Sequence, residues 1–302
     1  MKRFIYQTLI FSFFVLLTFW WLLFKADGHN DPYYVKFSTP KQNSLILGTS
    51  RALQGIQPEV LLNELNEKIF NYAFTLRHSP YGPAYLRSVK KKLNPAADTG
   101  IYILAVDPWS ISSRLKNLND TTYFREVGAC VDKTEKVDVN PNYSYLIHNL
   151  KGRYYQLLFG DEHTYTHPDG WLEVTVNMDH REVERRTKGK LQDYRDKLSR
   201  YGFSDTRYDY LKKIILFLKG HGKVYLVRLP VDPGMMKIED EFMPRFNDKM
   251  KALLPLADGY FDMTPFNGDY QYVDGNHLYK NSGKDVSLKI GKWIKEKQLT
   301  NK

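Results

Sequence analysis

Two short signals at opposite ends of the sequence carry groups suited to acyl transfer. Leu45-Ile46-Leu47-Gly48-Thr49-Ser50 is an apolar run that closes on a glycine and a serine, and Asp274-Gly275-Asn276-His277 stands shortly before a final helical pattern. Acyl transfer needs a nucleophilic hydroxyl, a base for its proton and a carboxylate to orient the base. A serine between a buried strand and a helix presents its hydroxyl at the sheet edge and its own N–H to an oxyanion. Taken alone, such a serine also serves as a turn or capping residue. Asp-x-x-His in a loop lets the carboxylate bind one imidazole nitrogen while the other faces outward. By itself that pair is common on surfaces. What joins the two signals is order, since Ser50 follows the first strand and Asp274 and His277 follow the last.

The elements between them predict a parallel sheet. Apolar runs of β character fall at 44–47, 69–73, 101–106, 224–229 and 259–263, separated by helical patterns at 58–68, 83–93, 207–219 and 244–254, with 282–297 closing the chain. Alternation of this kind predicts a flavodoxin-like three-layer α/β/α sandwich around a central five-stranded sheet, with the site at the carboxyl ends of the strands. Residues 110–202 do not fit the repeat and read as an insertion. It is rich in aromatic and charged residues, among them Tyr154, Tyr155, Tyr165 and Trp171, and ends in a charged helical pattern at 181–200. Placed after the third strand, it would overhang the carboxyl-end face as a wall of a groove, or cover the sheet edge. The aromatic residues suit either the core of the insertion or a carbohydrate-stacking surface. His163, His167 and His180 show no ligand spacing with supporting acids, so no metal and no cofactor is expected.

On these residues the chain resembles the SGNH (GDSL-type) hydrolases and, among them, the extracytoplasmic members that include DltD-like and polysaccharide O-acetylation proteins. The resemblance covers about 44–294, without the insertion. Gly48-Thr49-Ser50 stands for the family's Gly-Asp-Ser block and Asp274 with His277 for its Asp-x-x-His block. The resemblance implies Ser50 as nucleophile, His277 as base and Asp274 as its partner. The second block puts an oxyanion-binding glycine two residues past an asparagine, and here Asn71-Tyr72-Ala73 places Ala73 there. The third block's asparagine amide is replaced by Asp107 in Ala105-Val106-Asp107-Pro108. An ionised carboxylate only accepts hydrogen bonds, and loss of one oxyanion donor costs on the order of 100- to 1,000-fold in rate. Arg228, a charge within the fourth apolar run, is the candidate to compensate, by pairing with Asp107 and meeting the oxyanion, or else to serve as a simple ion pair.

With 302 residues and 42% hydrophobic content the chain can bury one substantial core plus an insertion. The formal charge of +10 is spread along helical stretches and forms no recognised nucleic-acid motif; contact with anionic lipid or an anionic polymer explains it equally well, and no nucleic-acid partner is expected. One cysteine, Cys130, excludes an internal disulfide framework. Residues 4–24 are almost wholly apolar behind Lys2 and Arg3, which predicts a single span in the bacterial cytoplasmic membrane. A cleaved signal peptide is the rival reading, but its apolar core is normally shorter and no small-residue cleavage pattern follows Phe24, so the span is expected to stay uncleaved. The amino terminus would lie inside and the domain outside. Residues 1–27 then form stub and anchor, 28–43 a tether, and 44–302 the α/β domain. Two functions fit. One is a serine esterase or O-acyltransferase working on an acylated envelope glycan or another small ester, with a membrane acyltransferase as partner. The other is a weakly active or inactive SGNH-like domain that serves as a binding or assembly partner.

Overall fold

In the computed structural model, which describes residues 1–150 and 154–300, nine strands are arranged as one five-stranded sheet and two small ribbons. The strands are β1 (Leu45–Leu47), β2 (Phe70–Asn71), β3 (Gly100–Ala105), β4 (Ser112–Arg114), β5 (Thr164–Thr166), β6 (Leu172–Val174), β7 (Tyr201–Phe203), β8 (Gly222–Arg228) and β9 (Gly259–Asp262). The main sheet is parallel throughout, in the order β2-β1-β3-β8-β9. Counting only its own strands, this is the 2-1-3-4-5 order of the flavodoxin-like class, with a topological switch between β1 and β3. The expected sandwich is therefore the observed one.

Period-two alternation explains the layers. Leu45, Leu47, Tyr102, Leu104, Val224 and Leu226 face one side of the sheet, and Ile46, Ile101, Ile103, Tyr225 and Val227 the other. Against the first side pack α2 (Tyr34–Ser38), α5 (Pro83–Lys92), α7 (Tyr143–Leu150) and α9 (Asp205–Lys219). Against the second pack α3 (Ser50–Gly55), α4 (Pro58–Leu65) and α12 (Lys280–Thr300). The remaining helices are α1 (Lys2–Leu23), α6 (Cys130–Lys133), α8 (His180–Leu198), α10 (Pro233–Phe242) and α11 (Phe246–Lys251). The helix predicted at 244–254 is observed as the shorter α11, and α10, which the sequence did not predict, precedes it. Pro233 opens α10 in the first helical turn, where its missing N–H costs nothing.

Helix α1 has 22 residues and is long and apolar enough to cross a membrane. The segment expected to be a tether is instead folded. Tyr34, Lys36 and Phe37 of α2 are buried, and Lys36 donates to the carbonyls of Asn71 and Gly170. Turn-forming residues on either side hid this single helical turn from the sequence reading. The insertion is closed at its base by the antiparallel ribbon β4–β7, in which Ser112 faces Phe203 and Arg114 faces Tyr201.

Candidate active site

The turn after β1 is built around Gly48. Its φ is +146°, and a Cβ there would stand 2.8 Å from the Ala105 methyl and 3.0 Å from that of Ala52, so the chain can bend into α3 only with glycine. Thr49 is extended and starts the helix, its carbonyl accepting from the amides of Ala52 and Leu53. Ser50 is thereby the first helical residue. Its N–H has no intrahelical carbonyl to bond.

The second turn also depends on a glycine, Gly275, with φ +77°. It lets Asp274 curl back so that Oδ1 accepts from the amides of Asn276 and His277, both at 3.0 Å. The same carboxylate lies 3.0 Å from His277 Nδ1 through each oxygen. On the other side of the ring, His277 Nε2 is 2.8 Å from Ser50 Oγ. The three residues taken from opposite ends of the sequence form one continuous hydrogen-bonded chain.

The electrostatics fix the direction of that chain. Burial disfavours the Asp274 charge, but the hydrogen bond and charge of His277, with Lys190 and the Asn276 amide, outweigh it and hold the carboxyl below the usual carboxylate range. An ionised Asp274 can only accept, so Nδ1 carries the proton and Nε2 is the acceptor facing Ser50. The Asn276 side-chain amide also approaches Nε2, at 3.1 Å.

The three other predicted residues lie elsewhere in the network. The Ala73 N–H is directed at Asn71 Oδ1 at 3.1 Å, while the Asn71 amide group donates to the carbonyls of Ala52 and Ile56. Asn71 thus ties β2 to the serine helix and occupies the donor expected for an oxyanion. Asp107 accepts from Thr49 Oγ1 at 3.1 Å and from the Ser110 amide at 2.9 Å, capping the 3-10 turn Pro108–Ile111. Burial raises the Asp107 carboxyl above its ordinary value, against the pull of Arg51. Arg228 does not make the expected pair with Asp107. It donates to Glu239 at 3.1 Å and to Asn247 at 3.0 Å, because Glu239 of α10 lies between it and the turn.

The sequence reading missed Glu239, Arg51, Asn276 and Trp109. Glu239 is buried and accepts from Arg51 at 2.6 Å, from Arg228, and from the Trp109 indole at 3.1 Å. Arg51, next to Ser50, also donates to Asn276 Oδ1 through Nε at 3.0 Å and Nη2 at 2.8 Å. A buried ionic cluster therefore clamps the serine helix to the histidine loop. The one sequence signal for it was an arginine inside the apolar pattern after Ser50.

The insertion touches both turns. From α8, Lys190 is 3.2 Å from Asp274, Arg186 donates to the Val273 carbonyl, and Thr187 lies against Gly275. From the β5–β6 ribbon, the Trp171 indole donates to the Gln54 carbonyl and Glu173 pairs with Lys280. His167 bonds Glu173 and stacks on Trp171, whereas His180 is exposed at the start of α8. Among the described residues no cluster of His, Cys, Asp and Glu has the arrangement of a metal site.

No family model matches the chain, and no curated protein matches it. Among solved structures it is similar to the inhibitor-bound aryl esterase of M. smegmatis, at 12% identity and a TM-score of 0.39, over 84% of this chain and 99% of that one. It is also similar to Est24, a carbohydrate acetylesterase from Sinorhizobium meliloti, at 13% identity and a TM-score of 0.40, again over 84% and 99%.

Proposed function

We propose that the protein is an SGNH-type serine esterase or O-acyltransferase that works through an acyl-Ser50 intermediate. The observation that carries this is the hydrogen-bonded chain from Ser50 Oγ through His277 to Asp274, at 2.8 and 3.0 Å. Ser50 Oγ attacks the acyl carbon while its proton passes to His277 Nε2, and Asp274 stabilises the imidazolium. The Ser50 N–H is positioned to donate to the oxyanion. The imidazolium then returns the proton to the departing alkoxide oxygen as the carbon–oxygen bond breaks. Water as second nucleophile gives hydrolysis, and a sugar hydroxyl gives transfer.

With α1 across the bacterial cytoplasmic membrane and the domain outside, the substrate class is an acylated envelope glycan or a similar small ester. A membrane acyltransferase is then the natural source or recipient of acyl groups. The alternative of an inactive binding domain expects Ser50 and His277 apart. Their contact favours catalysis.

The test is labelling of the full chain with a serine-directed fluorophosphonate; the full chain is required because Leu23 of α1 belongs to the core. Wild type is expected to label, with Ser50→Ala abolishing it and His277→Ala slowing it by about 10⁴-fold or more. Folded protein that does not label, or labelling that survives Ser50→Ala, would sink the mechanism. Acetyl-ester turnover with and without glycan acceptors separates hydrolysis from transfer.

A further inference from the structure

The amino-terminal helix does not leave the domain as a free stalk. Leu23 is buried, and Phe19, Leu22 and Ala26 pack on the cluster that holds Tyr34, Phe37, Tyr145 and Leu150. Trp20 stacks on Tyr143 of α7 with centroids 5.7 Å apart, Phe24 meets the same ring edge-on at 6.2 Å, and Phe19 meets Tyr154 at 5.2 Å. A helix rises 1.5 Å per residue, so Phe19 lies about 6 Å along the axis from Leu23, inside the span. The turn at Tyr154 must reach that depth to touch it.

The same two elements leave large apolar side chains uncovered. Ile147, one helical turn after Tyr143 and on the same face of α7, is 51% exposed, and Tyr155, Leu158 and Phe159 are 61%, 55% and 72% exposed. The adjoining stretch of α1 is exposed in the same way at Leu17, Trp20, Trp21 and Phe24, and Lys25 lies over the Trp21 ring at 5.0 Å. Tryptophan, tyrosine and a basic residue at one level are the composition of a bilayer interface. On the opposite layer, Leu288 of α12 is 37% exposed.

We propose that this surface is a second membrane contact. With α1 spanning, Ile147, Tyr155, Leu158 and Phe159 enter the headgroup and upper acyl region of the leaflet on the domain side. The domain is then held in one orientation against lipid. The inference rests on the reading of α1 as a membrane span and adds a lipid-facing surface to the domain itself. Lipid is the occupant because Tyr143 and Tyr154 join the patch to the side of the helix at its aromatic end, and the exposed side chains continue from there past the point where the helix stops.

The test uses the full chain in nanodiscs of phosphatidylcholine and phosphatidylglycerol, with bimane attached at Phe159→Cys, Tyr155→Cys, Leu17→Cys or Leu288→Cys. The native Cys130 is buried and stays in place, with unsubstituted protein as the blank. Lipid carrying a doxyl group at acyl carbon 5 is expected to quench the labels at 155 and 159 at least threefold more than the label at 288, approaching the label at 17. Leu158→Asp with Ile147→Asp, both at exposed sites, is expected to reduce the quenching at 159 to the level at 288. Quenching at 17 with none at 155 and 159 overturns the proposal and leaves the span intact. Labels at 155 and 159 shielded from both doxyl lipid and aqueous iodide overturn it in favour of a protein partner. No quenching at 17 removes the span, and the proposal with it.

Discussion

Replacing Glu239 by glutamine tests whether the buried ionic cluster holds the site together. The carboxylate receives Arg51 at 2.6 Å, Arg228 at 3.1 Å and the Trp109 indole at 3.1 Å, and the side chains of both arginines are within 5% of full burial. Glutamine keeps the shape, but its amide brings two donors into a site where every neighbour already donates. Two buried cations lose their counter-charge, and breaking a buried pair from one side costs about 3–5 kcal/mol. At roughly 2–4 °C per kcal/mol, the melting temperature should fall by roughly 6–20 °C. Fluorophosphonate labelling, measured below the transition of both proteins, should also slow, since Arg51 loses the anchor from which it holds Asn276 beside His277. Adding Arg228→Met should recover part of the lost stability, because one uncompensated charge is removed with it. A loss below about 1 kcal/mol, the ordinary size of a point substitution, would refute the reasoning. So would unchanged labelling in a destabilised but folded variant, as far as the link to the site is concerned.

Asp107→Asn keeps the cap on Ser110 but removes a buried carboxyl. Its folded value is raised above the unfolded one, so the acid form is favoured on folding, and stability from this group is present at low pH and lost as pH rises. The variant should match wild type below about pH 4, near the unperturbed carboxyl value, and gain on it in denaturation midpoint as pH increases; a gap that shrinks with pH contradicts this. Asp274→Asn should slow turnover by about 10⁴-fold by releasing the imidazole to the wrong tautomer, read as kcat on an acetyl ester. Lys190→Met removes a part-exposed ion pair to Asp274, worth about 0–1 kcal/mol, so labelling should change by less than about fivefold. Gly48→Ala forces a methyl against Ala105 and Ala52 at positive φ and should cost about 1–3 kcal/mol or more of stability, read in a urea titration.

The sequence by itself determined the layers and which residues could form the hydrogen-bonded chain of the candidate site. Alternating apolar strands separated by helical patterns have one economical burial, a parallel sheet covered on both faces, and the order of strands put Ser50, Asp274 and His277 on one edge. Those inferences depend on local periodicity and on residues fixed in position along the chain, and they needed no long-range contact to be read. Tertiary structure alone decided what lies around them. Nothing near Arg51 in sequence marks Glu239, 188 residues away, as its partner, nor shows that Glu239 would draw Arg228 away from Asp107. The roles of Ala73 and Asp107 likewise depend on which groups reach them first, Asn71 from within its own turn and Thr49 from the neighbouring one. Residues 28–43 read as a tether because their turn formers dominate any local window, yet Tyr34 and Phe37 find a core that distant segments build around them. Buried polar groups take the partners that packing brings within reach, and that choice is made only when the chain closes on itself.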